Sequence, residues 1–207
     1  EIEDIGEINT GDPKPLAEFI EWGVKNYPAD RTALVMQDHG GGWIGWGDDQ
    51  SHNGDMLSLE ELASGLEDGL RASGLRRFDL LLFQACLMSC IEVAKACRPF
   101  TQWILASEEY PNYSCGTKWR KGLTALSANP GMEAPDLAKI LAKEWKATFD
   151  DHPSDAWRAI GSQLCFAVSE LEKLDEVMSA FESLCDRLTG SMNRETWLKI
   201  ADARNRA

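Results

Sequence analysis

The sequence predicts an α/β fold built around a mostly parallel sheet. Three short apolar runs, at 33–36, 79–83 and 103–106, have the length and composition of buried strands. Longer stretches with apolar residues at helical spacing alternate with them, and that alternation implies right-handed crossovers and parallel pairing.

The elements read in order as follows. Asp12-Pro13 opens a helix as N-cap and first helical residue, and Leu16, Phe19, Ile20 and Val24 supply its apolar face. Asn26-Tyr-Pro-Ala-Asp30 breaks it before the first strand, which runs into the glycine-rich turn Gln37-Asp-His-Gly-Gly-Gly-Trp43. Ser58-Leu-Glu-Glu61 fits a capping box, and Leu59, Leu62, Leu66 and Leu70 carry the next helix towards Gly74. The second strand leads straight into Gln84-Ala-Cys-Leu-Met-Ser89 and a helix holding Ile91 and Ala94, stopped by Arg98-Pro99. The third strand gives way to a loop over 107–116. A helix at 136–149, a fourth strand at 163–168 and a helix at 171–188 complete the reading. No repeat or linker interrupts it, so residues 1–207 are expected to form a single domain. Both ends read as cuts, as in a processed chain or a fragment of a larger domain.

Composition narrows the function. A chain that is 43% hydrophobic and 27% charged is globular rather than disordered. The formal charge of −13 argues against nucleic acid, whose phosphates need clustered Lys and Arg. No apolar run approaches a membrane span. The six cysteines form no Cys-x-x-Cys and have no histidine at zinc-finger spacing, so no metal site is expected from them. Cys90, Cys97, Cys165 and Cys185 read as small apolar filler. The acidic residues Asp48, Asp49, Asp55, Glu60 and Glu61 lack EF-hand spacing and read as a solvated face rather than a calcium site. His52 and His152 sit in polar loops and read as solvent-facing.

Two residues stand out for chemistry. In parallel sheets reactive groups collect at the carboxyl ends of strands, and His39 and Cys86 both lie there. The glycines after His39 leave bare backbone, whose N–H groups can approach a substrate oxygen. A thiol at the corner of Cys86 would meet the first turn of the following helix, which stabilises a thiolate, and a nearby imidazole would lower its pKa further. Two other readings stand beside this one: an inert buried Cys86, and a phosphate-binding turn at Gly40-Gly-Gly42. The second lacks both GxGxxG and GxxxxGK[ST].

The chain resembles the clostripain-like cysteine peptidases, family C11 of the caspase-like clan. The matching stretches are Gly6-Glu-Ile-Asn-Thr-Gly-Asp-Pro13, Phe19-Ile-Glu-Trp22, Tyr27-Pro-Ala-Asp30, His39-Gly-Gly-Gly-Trp43, Phe83-Gln-Ala-Cys-Leu-Met88, Ile91-Glu-Val93 and Ala106-Ser-Glu-Glu109. The resemblance implies a caspase-like α/β/α sandwich, here without its N-terminal strands, which a second chain could supply. It implies an endopeptidase in which Cys86 attacks the scissile carbonyl to form a thioester. His39 is then the acid–base, and the backbone N–H groups of Gly40 and Cys86 hold the oxyanion. It implies a protein or peptide substrate, no obligatory cofactor (calcium being the family's one candidate), and secretion or a bacterial cell envelope in preference to cytoplasm. The substrate pocket falls to Gln84, Ser107, Glu108 and Ser114. Relatives that cut after Arg or Lys resemble Phe-Asp-Ala-Cys, whereas Gln84 stands in the Asp position here. Their second pocket acid falls about where Ser114 stands. Each missing carboxylate removes a charge-assisted bond worth roughly 1.5–3 kcal/mol to a buried basic side chain, so a weakened basic preference is expected. The contrasting reading is a catalytically idle member that serves as a binding or scaffolding module.

Overall fold

The computed structural model describes residues 4–110 and 118–206. They fall into two compact units, residues 1–171 and residues 172–207.

The first unit is a three-layer α/β/α arrangement. Strands β1 (Ala33–Gln37), β4 (Phe78–Gln84), β5 (Thr101–Ser107) and β6 (Phe166–Glu170) form one sheet in the order β1-β4-β5-β6. β1, β4 and β5 are parallel, and β6 is antiparallel to β5. A small antiparallel hairpin, β2 (Trp46–Asp49) with β3 (Asp55–Leu57), projects from the chain after β1.

Strand parity decides which helices cover which face. Leu81 and Phe83 of β4 pack with Leu34, Met36, Ile104 and Ala106 beneath α1 (Pro13–Asn26), α2 (Leu59–Ser73) and α3 (Ile91–Cys97). Leu80, Leu82 and Leu105 turn the other way, onto Ala138, Leu141 and Trp145 of α5 (Ala134–Asp150). β4 is therefore buried on both faces, which explains its uninterrupted apolar run.

Local signals account for the helix starts. The Asp12 carboxylate accepts the Lys14 N–H at α1, and the Ser58–Glu61 capping box at α2 is fully formed. α4 (Arg120–Ala128) has no side-chain cap of its own. Glu144 of α5 supplies one from a distance: its carboxylate, 3% exposed, accepts the N–H groups of Lys121 at 2.9 Å and Gly122 at 3.1 Å.

Two expectations need correction. The fourth strand is 166–170 rather than 163–168, because α6 (Asp155–Gln163) occupies the earlier residues. The β2–β3 hairpin was not expected at all. In the second unit, α7 (Leu174–Gly190) matches the expected helix closely, and α8 (Arg194–Arg206) follows it.

Replacing Glu144 with Ala strips the N–H groups of Lys121 and of buried Gly122 of their acceptor. It should cost about 1–3 kcal/mol in urea unfolding, whereas substitution of the solvent-exposed Glu182 should cost under about 0.5 kcal/mol.

Candidate active site

Register delivers the two candidate residues to neighbouring turns. Gln37 of β1 pairs with Gln84 of β4, and His39 and Cys86 each follow two residues later. Beyond the strand ends the two turns touch. A Cβ on Gly40 would stand 2.1 Å from the Cys86 carbonyl oxygen and 2.9 Å from Met88 Cγ, so only glycine lets the backbones approach this closely.

The turn after His39 is anchored to β2. The His39 carbonyl accepts the Gly47 N–H at 2.9 Å, and the Gly41 N–H donates to the Gly45 carbonyl at 2.9 Å. Gly40 and Trp46 face one another between these bonds as a non-hydrogen-bonded pair, which turns the Gly40 N–H away from β2. The His39 side chain is exposed and Cys86 is half-buried.

The turn after Cys86 is strained. Leu87 has φ +60°, a left-handed conformation that costs a branched side chain about 1–2 kcal/mol. Two bonds hold it there: Leu87 N–H to the Glu109 carbonyl at 3.2 Å, and Ser89 N–H to the Ser107 carbonyl at 3.0 Å. The strained turn also delays α3, which starts at Ile91 with Cys90 as its N-cap. Cys86 therefore does not meet the helix N-terminus, contrary to expectation. Burial dominates instead and pushes its thiol above the ordinary cysteine value.

The residues expected to line a substrate pocket separate into three kinds. Gln84 lies on the α5 face of β4 by strand parity and is 2% exposed, and its Oε1 has no partner among the described residues. On the register that pairs Leu82 with Leu105, Ser107 stands beside it on the neighbouring strand. Ser107 is fully buried, and its hydroxyl lies 3.1 Å and 3.3 Å from the carbonyls of Glu109 and Cys165. Glu108 is exposed, with its N–H bonded to the Cys165 carbonyl at 3.0 Å. Ser114 lies outside the described residues.

The cysteines divide differently from the uniform filler expected. Cys97 is buried, and desolvation pushes its thiol up to about 12. Cys90 is half-buried, while Cys165 and Cys185 are exposed. Burial and the Glu108 carboxylate beside it push the Cys165 thiol upwards. Nothing local in the sequence places Cys165 next to Glu108; the antiparallel return of β6 does so.

A second polar cluster ties the segment before α1 to the β2–β3 hairpin. Asp49, 8% exposed, accepts the Thr10 N–H at 2.8 Å, the Ser51 N–H at 3.0 Å and the Ser51 hydroxyl at 2.6 Å. These bonds, Ser51 foremost, hold its carboxyl well below the ordinary carboxylate range. His52 Nδ1 lies 3.2 Å from Asp49 Oδ2, so His52 is engaged and half-buried rather than solvent-facing. Glu7 joins this pair within 4.8 Å, whereas the acidic residues 48, 49, 55, 60 and 61 form no such group among the described residues.

Residues 2–205 match the clostripain family, peptidase family C11. Clostripain of Hathewaya histolytica is 29% identical over 94% of the chain, which spans 42% of that relative's length. Two solved structures share the fold. One is a secreted C11 cysteine protease from Bacteroides thetaiotaomicron in complex with an irreversible peptide inhibitor, with TM-score 0.68 and 21% identity over 84% of this chain and 49% of that one. The other is an inactive zymogen C11 protease from Parabacteroides distasonis, with TM-score 0.62 and 26% identity over 86% of this chain and 45% of that one.

Two outcomes test the geometry. Gly40→Ala drives a methyl into the Cys86 carbonyl and should destabilise the protein by about 1–3 kcal/mol in urea unfolding, the scale of an overpacked contact. A thiol raised by burial is mostly protonated at neutral pH. In His39→Ala, the rate at which iodoacetamide modifies Cys86 should therefore climb steadily from pH 7 to above pH 9, and a plateau below pH 7 contradicts this reading.

Proposed function

The chain belongs to the clostripain family, and from that premise we propose that it is a cysteine endopeptidase working through His39 and Cys86. One observation carries the reading: the Gly40 backbone lies against the Cys86 carbonyl, so the two turns that bear an imidazole and a thiol share one contact.

The chemistry follows from that placement. His39 takes the Cys86 proton, the thiolate attacks the scissile carbonyl, and the oxygen gains negative charge. The Gly40 N–H, turned away from β2, and the Cys86 N–H donate to it. Protonated His39 hands its proton to the leaving amine, which departs and leaves a thioester that water hydrolyses with His39 as base. Every group required is a protein group, so the reaction as read uses no metal. The raised Cys86 thiol makes the imidazole necessary rather than helpful.

The acyl-side pocket is built on Gln84, with Ser107 shaping its floor and Glu108 at its wall. Gln84 offers a neutral acceptor where a carboxylate would anchor a basic side chain, so the preference for Arg or Lys before the cut is weakened. β1 is an edge strand of the sheet among the described residues, and that edge suits a strand from a further segment or second chain that extends the sheet. A secreted relative supports action outside the cell, and no helix among the described residues is long and apolar enough to cross a membrane.

Two experiments separate the readings. A peptidyl chloromethyl ketone should modify Cys86 selectively. Cys86→Ala should abolish the modification, and His39→Ala should slow it by about 10²-fold or more; equal reaction of all the thiols supports the idle module instead. In a fluorogenic library varied at the residue before the cut, Arg and Lys should not dominate, and dominant cleavage after Arg contradicts the role of Gln84.

A further inference from the structure

The turn that follows His39 displays two large apolar side chains to solvent. Trp43 is 70% exposed, the most exposed of the large apolar side chains among the described residues, and its neighbour Ile44 is 57% exposed. They sit in a single 3-10 turn, Gly42–Ile44, immediately beyond the contact between Gly40 and Cys86.

That turn is rigidly specified. Its ends are tied by the Gly41 N–H to the Gly45 carbonyl at 2.9 Å and the Ile44 N–H to the Gly41 carbonyl at 3.2 Å. Gly42 is buried with φ +63°, and a Cβ there would lie 3.3 Å from the Leu87 carbonyl and 3.7 Å from Cys90 Sγ. Gly45 has φ +146°, and its Cβ would stand 2.2 Å from the Leu57 carbonyl. The backbone is thus clamped between the Cys86–Cys90 segment and β3. An indole held outwards on so constrained a turn is pre-organised: a ligand that covers it need not order the loop first. Large apolar groups in that position are where interaction energy concentrates.

We propose that Trp43 and Ile44 form an apolar subsite for the part of the substrate that departs, the first or second residue after the scissile bond. Chemistry fixes the side. His39 must reach the leaving nitrogen, so residues continuing from it along the same turn lie towards the leaving segment. Gln84, Ser107 and Glu108 lie across Cys86, at the ends of β4 and β5, and serve the acyl side. The occupant is an aliphatic or aromatic side chain of an extended peptide, which packs on the indole face. This inference rests on His39 and Cys86 being the reacting pair.

The test uses internally quenched peptides that are identical before the cut and carry Leu, Gly or Glu at each of the two positions after it. Burial of one such side chain predicts about a tenfold preference for Leu over Gly at one position in kcat/KM. Trp43→Ala should flatten that preference to under about twofold, mainly through KM, and Trp43→Phe should keep most of it. A peptidyl chloromethyl ketone has no residue after its reactive carbon, so its rate with Cys86 should be the same in Trp43→Ala as in the native protein. A preference that survives in the Trp43→Ala, Ile44→Ser double variant overturns the subsite and leaves the reacting pair intact. So does an equal fall in chloromethyl ketone rate and peptide cleavage. A change of oligomeric state in Trp43→Ala with the preference retained makes the pair an interface between copies, and also overturns it. Failure of the native protein to react with the chloromethyl ketone removes the reacting pair, and the subsite with it.

Discussion

The parallel pairing of β1 with β4 is the constraint on which the site depends. Its register sets Gln37 opposite Gln84, and two residues of continued chain carry each strand out of the sheet to His39 and Cys86. Equal offsets from paired residues bring the imidazole and thiol turns to the same height above the sheet edge. Slipping the register by one residue would reverse strand parity and put Leu81 and Phe83 out of their layer, so core packing enforces the site's geometry. The cost of closing the two turns upon one another falls on Gly40 and Leu87. One has no side chain to obstruct the contact, and the other is held in a left-handed conformation by bonds from the β5 end.

Those bonds also bind the two sides of the site into one unit. Glu109 and Ser107 hold the turn after Cys86 through their carbonyls, and the same segment is bonded to Cys165 just before β6. The turn after Cys86 and the Ser107–Glu109 segment therefore cannot move independently. On the opposite side, β2 fixes the His39 turn, and Asp49 at the end of β2 ties that hairpin to Thr10 before α1. A segment some thirty residues before His39 in sequence thus steadies the strand that holds it.

Much of this was legible in the amino-acid sequence where the cause is local. Asp12-Pro13 and Ser58–Glu61 mark helix starts because their bonds close within three residues. The runs at 33–36, 79–83 and 103–106 mark strands because burial on the sheet excludes polar residues. His39 and Cys86 could be singled out by their position after such runs and by the motifs around them. Features with distant causes were not legible. Trp46-Gly-Asp-Asp49 carries no strand pattern, and its extended form is supported by Gly47 N–H to His39 and by Thr10 on Asp49. Leu87 gives no sign of a left-handed turn, so α3 was placed too close to Cys86 and the thiol credited with a dipole it does not meet. The Glu144 cap on α4 joins residues more than twenty apart. Exposed Cys165 looks like any small apolar residue until β6 turns back antiparallel beside Glu108.

The proposed dyad makes a spatial demand: one imidazole and one thiol, far apart in sequence, must together span the carbon and nitrogen of a single substrate bond. A bifunctional alkylating agent of that span, 1,3-dibromoacetone, tests it directly. Peptide mapping of the treated protein should show Cys86 bridged to His39, with the bridge lost in His39→Ala. Cys86 bridged to His52 or His152, or carrying only a singly attached adduct while His39 is unmodified, would contradict the account.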